Sequence, residues 1–390
     1  MRIIIPNSKL LAILMLLVGM SASAITFSSG GLSYNILSEK DRTVEVTYSK
    51  DYLSEYVAAD LEIPQKVVFN SKTYTVTSIG DYAFVKCTGL TSVTLPNSVT
   101  SIGDGAFSLC TGLISVTLPN SLTSIGESAF YQCHGLTSVT LPKSLISISE
   151  RAFYVCSSLE SLNVEAGNMM FSSIDGVLYN KDASKLIICP TGKSSIITLP
   201  ETLTSIGDYA FVDCKGLISG EFPKSLISIG KSAFVSCSGL TSLTLPNSLS
   251  SIGMSAFMNC SSLESILIQC PVPIECYPDF EANVEQNAVL YVPVGTLAQY
   301  KKVDPWRYFR NIKEMNFSGI EKVEGDNDAT FRLSVNEGVL TISGINSCEI
   351  INIYDMEGHC VYTGTGRCLD TLCSGIYIIK AGHKSIKFSI

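Results

Sequence analysis

The chain has 390 residues, of which 46% are apolar and 16% are charged, and its formal net charge is −8. A chain of this length exceeds the usual size of one compact core, so we expect several folded units or a repeat array. The acidic balance with scattered lysines argues against a nucleic-acid partner, which would need a clustered basic face. Beyond the N-terminus no apolar run is long enough for a transmembrane span.

Residues 1–24 have the pattern of a secretory signal peptide. Two basic residues precede an eleven-residue apolar run at positions 10–20, and the small residues Ala22 and Ala24 follow it. The run is shorter than the roughly 20 residues that a membrane-spanning helix needs. The alternative is a buried N-terminal helix. The order of the three features favours export to the cell surface or the extracellular medium.

Residues 25–77 are predicted to form an N-terminal β cap. Val44, Val46 and Tyr48 alternate with polar residues, as is typical of a strand with one buried face. A repeat array needs such a cap, because its end would otherwise expose the core and a sheet edge.

Residues 78–270 repeat one motif, Ser-Ile-Gly (Ser-Ile-Ser in the copy at Ser147), followed at fixed offsets by Ala-Phe, Cys and Leu. The spacing is 23 residues, except for one step of 58. The motif starts at Ser78, Ser101, Ser124, Ser147, Ser205, Ser228 and Ser251. A period of this length with an L-x-x-L-x-L core predicts a leucine-rich repeat solenoid, so the fold is mainly β.

The residues of one repeat predict which side chains face the core. Alternation places Val93 and Leu95 inside the coil and Ser92 and Thr94 outside it. The Ala-Phe pair is expected to begin the return leg as a single helical turn, with its phenylalanine filling the coil. The phenylalanines at this structural position are Phe84, Phe107, Phe130, Phe153, Phe211, Phe234 and Phe257.

Seven of the fourteen cysteines occupy one repeat position, and we expect them to be buried free thiols. Their parallel Cα–Cβ directions do not suit disulfide geometry. They are Cys87, Cys110, Cys133, Cys156, Cys214, Cys237 and Cys260. Cys270 and Cys276 are the pair best placed for a disulfide. Pairings among the cysteines after residue 340 stay open.

Three segments follow the repeats. Residues 271–317 are expected to cap the array, with Trp306 as an anchor. Residues 318–330 are polar and turn-prone, so they are predicted to be a linker. Residues 331–390 contain several short alternating runs at about ten-residue spacing, which predicts a small all-β sandwich.

The repeats resemble the BspA-like (Bacteroides surface protein-type) leucine-rich repeat family, whose unit reads S-I-G-x-x-A-F-x-x-C-x-x-L-x-x-V-x-L-P. The resemblance covers residues 61–268. It implies that a hairpin insert at about 165–198 accounts for the long step, and that residues 292–312 help to close the array. It also implies a role in adhesion to host or neighbouring-cell proteins.

The C-terminal domain resembles the sorting domain of the type IX secretion system at residues 353–361 and 374–380. This resemblance implies transport across an outer membrane, followed by surface attachment or release. The alternative is an accessory β-domain without an export role.

The outward side chains of the strands predict a partner-binding row of hydroxyls and an amide. The row consists of Ser92, Thr94, Ser115, Thr117, Ser138, Thr140, Ser161, Asn163, Ser242 and Thr244. The alternative is that they are solvated β-forming residues. Tyr131 and Tyr154, on the return leg, are candidates for recognition, or they shield the coil.

The sequence contains no motif for catalysis, a cofactor or a metal ion, so we expect a non-enzymatic protein. His134 occupies a repeat position that other repeats fill with Thr or Ser, which makes a Cys-His nucleophile pair with Cys133 improbable. The favoured hypothesis is an exported surface protein that binds an extracellular protein, on host matrix or another cell. The alternatives are an envelope spacer and a carbohydrate-binding accessory factor. The ligand, the binding face and the oligomeric state stay open.

Overall fold

The computed structural model describes residues 25–48, 59–193, 197, 199–217, 219–274, 276, 280–315 and 317, and the strands between residues 332 and 389. The predicted signal peptide and linker lie outside the described residues. The chain divides into two compact units, Met1–Met315 and Asn316–Ile390. The repeats lie in the first unit.

Five strands lie at the N-terminal end of the repeats. They are Thr26–Ser29, Leu32–Ser38, Thr43–Thr47, Lys66–Phe69 and Lys72–Ile79. The third of these pairs in parallel with the fifth, and the end of the fifth pairs with the next repeat. Val44 and Val46 are completely buried, so their side chains extend the core of the repeats into these strands.

The predicted leucine-rich repeat solenoid of 23-residue turns is confirmed. Each regular repeat contributes a two-residue strand, which we call the Ser-Ile strand, and a second strand with the outward Ser and Thr, which we call the face strand. The Ser-Ile strands are Ser101–Ile102, Ser124–Ile125, Ser147–Ile148, Ser205–Ile206, Ser228–Ile229 and Ser251–Ile252. The face strands are Asp60–Glu62, Ser92–Thr94, Ser115–Thr117, Ser138–Leu141, Ser161–Val164, Ser219–Glu221, Ser242–Leu245 and Ser265–Ile268. Paired strands run parallel and in register, so equivalent residues of successive repeats lie side by side.

The repeat phenylalanines form two stacks of nearly parallel rings inside the coil. In the first stack, Phe84 to Phe153, successive ring centroids are 5.2, 5.3 and 5.0 Å apart. The second stack starts at Phe211 and continues into Phe280 of the following segment, with separations of 4.8, 5.4 and 5.6 Å. All seven repeat phenylalanines are buried. Stacked rings at these distances add attraction beyond the burial of their area.

The prediction of a helical turn on the return leg is wrong. The leg is a series of turns with two left-handed residues, for example Gly105 at φ 61° and Leu109 at φ 64°. Alternate N–H groups donate to the next coil, as Phe107 N does to Ala129 O at 2.7 Å and Leu109 N does to Tyr131 O at 2.7 Å, while Ser108 N between them donates within the leg to Gly105 O at 2.9 Å. Because the alternate donors are satisfied between coils, they are not available for hydrogen bonds within a helix.

The seven repeat cysteines are buried free thiols that lie beside the phenylalanine stacks. In five of them the thiol donates to a phenylalanine carbonyl of the preceding repeat, as Cys110 does to Phe84 at 3.1 Å. Burial raises the pKa of the Cys156 thiol to about 12, so it stays protonated at neutral pH. The expected disulfide between Cys270 and Cys276 is wrong, since both are free thiols and Cys270 hydrogen-bonds to backbone carbonyls.

The segment that follows the repeats contains short helices and two strands. These elements are the helix Ala282–Asn287, the strand Val289–Pro293, the helix Leu297–Tyr300, the 3-10 helix Trp306–Tyr308 and the strand Asn311–Met315. Trp306 is completely buried, and its Nε1 donates to Ile274 O at 2.8 Å. Tyr300 OH donates to Cys270 O at 2.7 Å. Both aromatic side chains therefore fix this segment to the end of the repeats.

The second unit is all β in its described residues. Its strands are Arg332–Asn336, Val339–Ser343, Ile351–Asp355, Cys360–Gly364, Cys368–Leu369, Ile376–Ala381 and Lys384–Ser389. They form a three-stranded and a four-stranded antiparallel sheet. His359, His383, Cys348 and Cys373 lie outside the described residues.

Candidate functional site

The predicted row of outward side chains is divided among three sheets. Within the sheets Ser92 pairs with Ser115, Thr94 with Thr117, Ser138 with Ser161, and Thr140 with Asn163, while Ser242 and Thr244 lie in the third sheet. Thr94, Thr117, Thr140 and Asn163 are exposed, whereas Thr244 is half-buried. The first two sheets therefore present the row to solvent more fully than the third.

A β-hairpin interrupts the face strands after the fourth regular repeat. Its strands are Phe171–Ile174 and Val177–Asn180, and a third strand, Lys185–Ile188, leads back into the solenoid. The hairpin turn is Asp175-Gly176, with φ of 49° and 73°. Two left-handed central residues are the mark of a type I′ turn, for which Asp-Gly is a favoured pair.

This hairpin docks along the face strand Ser161–Val164. Leu162 N donates to Gly176 O at 2.8 Å, and Val164 N donates to Ser173 Oγ at 3.0 Å. A Cβ on Gly176 would lie 2.7 Å from Ser161 Cβ, so only glycine allows this approach. The hairpin thus satisfies the edge of the sheet, where unpaired N–H groups would otherwise remain.

A polar groove with a volume of about 560 Å³ lies where the hairpin meets the face strand. It is lined by Glu160, Ser161, Asn163, Ser173, Asp175, Gly176 and Lys193. Ser161 and Asn163 belong to the predicted row. We take this groove as the candidate functional site, because it combines carboxylate, amide, hydroxyl and ammonium groups in one place.

Lys193 gives the groove a fixed positive charge. Its side chain is only 8% exposed, and its Nζ donates to Asp175 O at 2.7 Å and lies 3.0 Å from Asp175 Oδ2. A buried ammonium is stable only when it is paired in this way. The pair also ties the hairpin turn to the segment that follows the insert.

Sequence reasoning missed most of the groove. It did not identify Glu160, Ser173, Asp175, Gly176 or Lys193. The Asp-Gly pair was an available signal for the hairpin turn, and the long step in the repeat spacing located the insert. The docking of the turn on Ser161 carries no local signal, because it depends on the path of the whole insert.

Tyr131 and Tyr154 lie on the return leg, in a different segment of the coil from the face strands. Their rings stack with centroids 5.8 Å apart, and Tyr154 meets Tyr209 edge-on at 6.2 Å. The Arg151 guanidinium lies 5.0 Å from the Tyr209 ring centroid and forms an ion pair with Glu127. Burial raises the pKa of Tyr154. These tyrosines therefore contact each other as well as solvent.

Three further observations bear on chemistry. Among the described residues, no group of three or more His, Cys, Asp or Glu could hold a metal ion. In the same part of the chain, no helix is long and apolar enough to cross a membrane. His134 lies at its repeat position with Nδ1 3.1 Å from Ser157 Oγ, the equivalent residue of the next repeat.

Comparisons with solved structures give leucine-rich repeat proteins. One from Eubacterium ventriosum is 24% identical, with a TM-score of 0.53, and the match covers 70% of this chain and 78% of that one. A leucine rich cell surface protein from Faecalibacterium prausnitzii is 22% identical, with a TM-score of 0.44 and coverage of 76% and 97%. The pneumococcal vaccine antigen PcpA is 20% identical, with a TM-score of 0.45 and coverage of 76% and 98%. The first of these likenesses supports the repeat fold.

A comparison with curated proteins gave no match. The family described as BspA type Leucine rich repeat region matches six copies, at residues 65–173 and 188–275, which is just over half of the chain. The matched residues contain the regular repeats and the face strands on both sides of the groove. On this match and the observed 23-residue coils, the chain belongs to the BspA-type leucine-rich repeat family.

Proposed function

We propose that this protein is exported, has no enzymatic activity, and binds an extracellular protein through its face strands, with the groove at the insert as the central contact. The observation that carries the proposal is the groove itself, where the docked hairpin converts a regular row of hydroxyls into a site with several kinds of polar group. The repeat family supports a role in protein interaction, and the signal-peptide pattern at residues 1–24 supports export.

The groove alone is too small for a specific protein interface, so a partner would also contact the neighbouring face strands. A specific interface buries about 800 Å² on each partner, whereas a groove of about 560 Å³ accepts only a few side chains. The exposed Thr94, Thr117 and Thr140 would supply the remaining contact. Thr94 and Thr117 lie on paired strands of one sheet, and Thr140 pairs with Asn163 in the next. Strands held in hydrogen-bonded sheets need little reordering on binding.

Three lysine substitutions test the site. Asn163→Lys fills the groove, Thr117→Lys adds the same charge to a regular part of the row, and Thr100→Lys adds it beside the Ser-Ile strands. Purified variants are compared with the wild type for binding to immobilised extracellular-matrix proteins and to intact neighbouring cells. We expect Asn163→Lys to weaken binding about tenfold or more, Thr117→Lys to weaken it less, and Thr100→Lys to leave it unchanged.

Wild-type affinity in the Asn163→Lys protein would show that the groove is not the contact. Binding to no member of the panel would favour the alternative of an envelope spacer. A carbohydrate-binding role would be expected to use a flat, exposed aromatic side chain, and the only tryptophan, Trp306, is completely buried.

The proposal includes export through the C-terminal unit, which rests on the resemblance of residues 353–361 and 374–380 to a type IX sorting domain. The alternative is an accessory β-domain. Intact producing cells are treated with protease, and the repeats and residues 331–390 are detected with separate antibodies. We expect the repeats to be digested on intact cells. Repeats that are protected until the envelope is broken would contradict surface exposure.

A further inference from the structure

The insert interrupts every regular ladder of the solenoid at the same coil. The Ser-Ile strand at Ser147 ends one sheet, and the next Ser-Ile strand, at Ser205, belongs to another sheet that starts with the hairpin. The phenylalanine stacks end at Phe153 and restart at Phe211. The described buried apolar residues form two clusters, and the insert contributes Leu178 to the first and Leu186 to the second. No regular ladder of the repeats therefore crosses this coil in the described residues.

The coil of the insert is shorter than a regular coil and lacks the repeat phenylalanine, so the stacks break here. From the strand that pairs with Ser205–Ile206 to the following glycine it runs over residues 185–192, against 101–112 in a regular repeat, so this part is four residues shorter. Gly192 lies against Ser157 as Gly112 lies against Thr88, which fixes the equivalence of the two ends. Cys189 takes the place of the repeat phenylalanine, because its N–H donates to Ala210 O at 2.7 Å, as Phe107 N does to Ala129 O, and its carbonyl accepts from Cys214 Sγ at 3.9 Å. Residues 185–192 contain no aromatic side chain, so this coil contributes no ring to the stack.

Side chains on the return leg bridge this gap. Tyr154 and Arg151 come from the repeat before the insert and Tyr209 comes from the repeat after it, and we call these three residues the return-leg clasp. Tyr209 meets the Tyr154 ring edge-on at 6.2 Å and lies under the Arg151 guanidinium at 5.0 Å. An aromatic pair and a cation–π contact both add attraction beyond the burial of their area. The clasp therefore partly replaces the broken stack.

We infer that the insert divides the solenoid into two halves that unfold separately, and that the return-leg clasp couples them. The first half contains the repeats of Phe84 to Phe153, and the second contains those of Phe211 to Phe257. In a repeat array each unit contacts only its neighbours, so stability is a sum of unit and interface terms. Cooperativity then fails at the weakest interface.

The chain carries its own reporters for each half. Cys87, Cys110, Cys133 and Cys156 lie in the first half, and Cys214, Cys237 and Cys260 lie in the second. All are buried, so an alkylating reagent reaches them only when their half unfolds. Brief alkylation of the full-length protein in increasing urea, read by peptide mass spectrometry, gives a separate unfolding midpoint for each thiol.

The test compares the wild type with Tyr209→Ala and with Tyr82→Ala. Tyr82 occupies the same repeat position as Tyr209 and has a similar left-handed backbone, with φ of 55° against 58°, so it is a matched control for the loss of a ring. In the Tyr209→Ala protein we expect the thiols to fall into two groups, one for each half. The lower midpoint should fall by about 0.5 M urea relative to the wild type, and the upper one should not move. Tyr82→Ala should move the first-half thiols alone.

One midpoint shared by all seven thiols in the Tyr209→Ala protein, or a grouping that does not follow the two halves, would overturn the division. If the difference between the urea midpoints of the two groups equals the difference in the wild type, the clasp does not couple the halves. Because the assay needs no ligand, its outcome is independent of the proposed binding function.

Discussion

The phenylalanine stack allows a direct measurement of how much ring stacking stabilises the repeats. Phe130 is completely buried between Phe107 and Phe153, with centroids 5.3 and 5.0 Å away. Phe153 is also buried, but in the described residues it has a single stacked neighbour, because the insert breaks the stack beyond it. Both phenylalanines occupy the same repeat position in the same half of the solenoid.

Phe130→Ala should lower the free energy of unfolding by about 4 kcal/mol, through lost burial and the cavity that remains. Phe153→Ala should cost about 1 kcal/mol less, because it removes one ring pair rather than two. Phe107→Ala is the matched control and should equal Phe130→Ala, since Phe107 also has two stacked neighbours, at 5.2 and 5.3 Å.

The three variants are compared by urea unfolding, read from alkylation of the first-half thiols. The comparison is valid when the slope m is unchanged, because a changed slope reports a change in the unfolded or native state. Equal losses for Phe130→Ala and Phe153→Ala, or a larger loss for Phe153→Ala, would refute the argument that stacking contributes beyond burial.

Three further predictions concern the insert and the thiols. Gly176→Ala should cost more than Gly167→Ala by about 1 kcal/mol or more, measured by thermal unfolding, because both glycines are left-handed but only a Cβ on Gly176 would meet a neighbour within 4 Å. Lys193→Met should destabilise the protein by only about 1 kcal/mol at pH 7, since it removes the hydrogen bond from the ammonium to the Asp175 carbonyl, whereas water solvates the Asp175 carboxylate, which is 71% exposed. Burial raises the folded-state pKa of Cys156 from 9.0 to about 12, so the unfolded chain loses this proton first and stability should fall above about pH 9. Cys156→Ala should make that fall shallower by about 1.4 kcal/mol per pH unit between pH 9 and 11 in reducing buffer, and an equal pH dependence in both proteins would contradict it.

The sequence predicts the solenoid because every coil must bury the same positions. A residue such as Phe107 recurs at a fixed period only if successive coils stack in register, so periodicity alone specifies the parallel pairing that the structure shows. The return leg was mispredicted because its structure depends on contacts between coils rather than on its local sequence. Its local sequence allows a helical turn, but hydrogen bonds to the neighbouring coil satisfy the same donors, and no local pattern reports them.

The candidate site was only partly predictable. Ser161 and Asn163 follow from the strand alternation, whereas Asp175 and Lys193 enter the groove through the path of the insert. Tyr209 was also missed, because its contacts with Tyr154 and Arg151 cross 55 and 58 positions of the chain. A long step in the repeat spacing indicates that an insert exists, but it does not indicate what the insert touches.

The irregular coil is also where a unique binding site is physically reasonable. Regular repeats present the same side chains at every step, as Thr94 and Thr117 do, so a partner that reads only this row finds several equivalent positions one repeat apart. Contact with such a row adds buried interface area, but it does not fix the position of the partner along the face strands. The docked hairpin removes this equivalence, because Asn163 replaces the threonine and Asp175 and Lys193 occur beside it alone. A partner that places one polar group in the groove is thereby held in one register along the face strands. This is why a substitution in the groove should weaken binding more than the same substitution in the regular row.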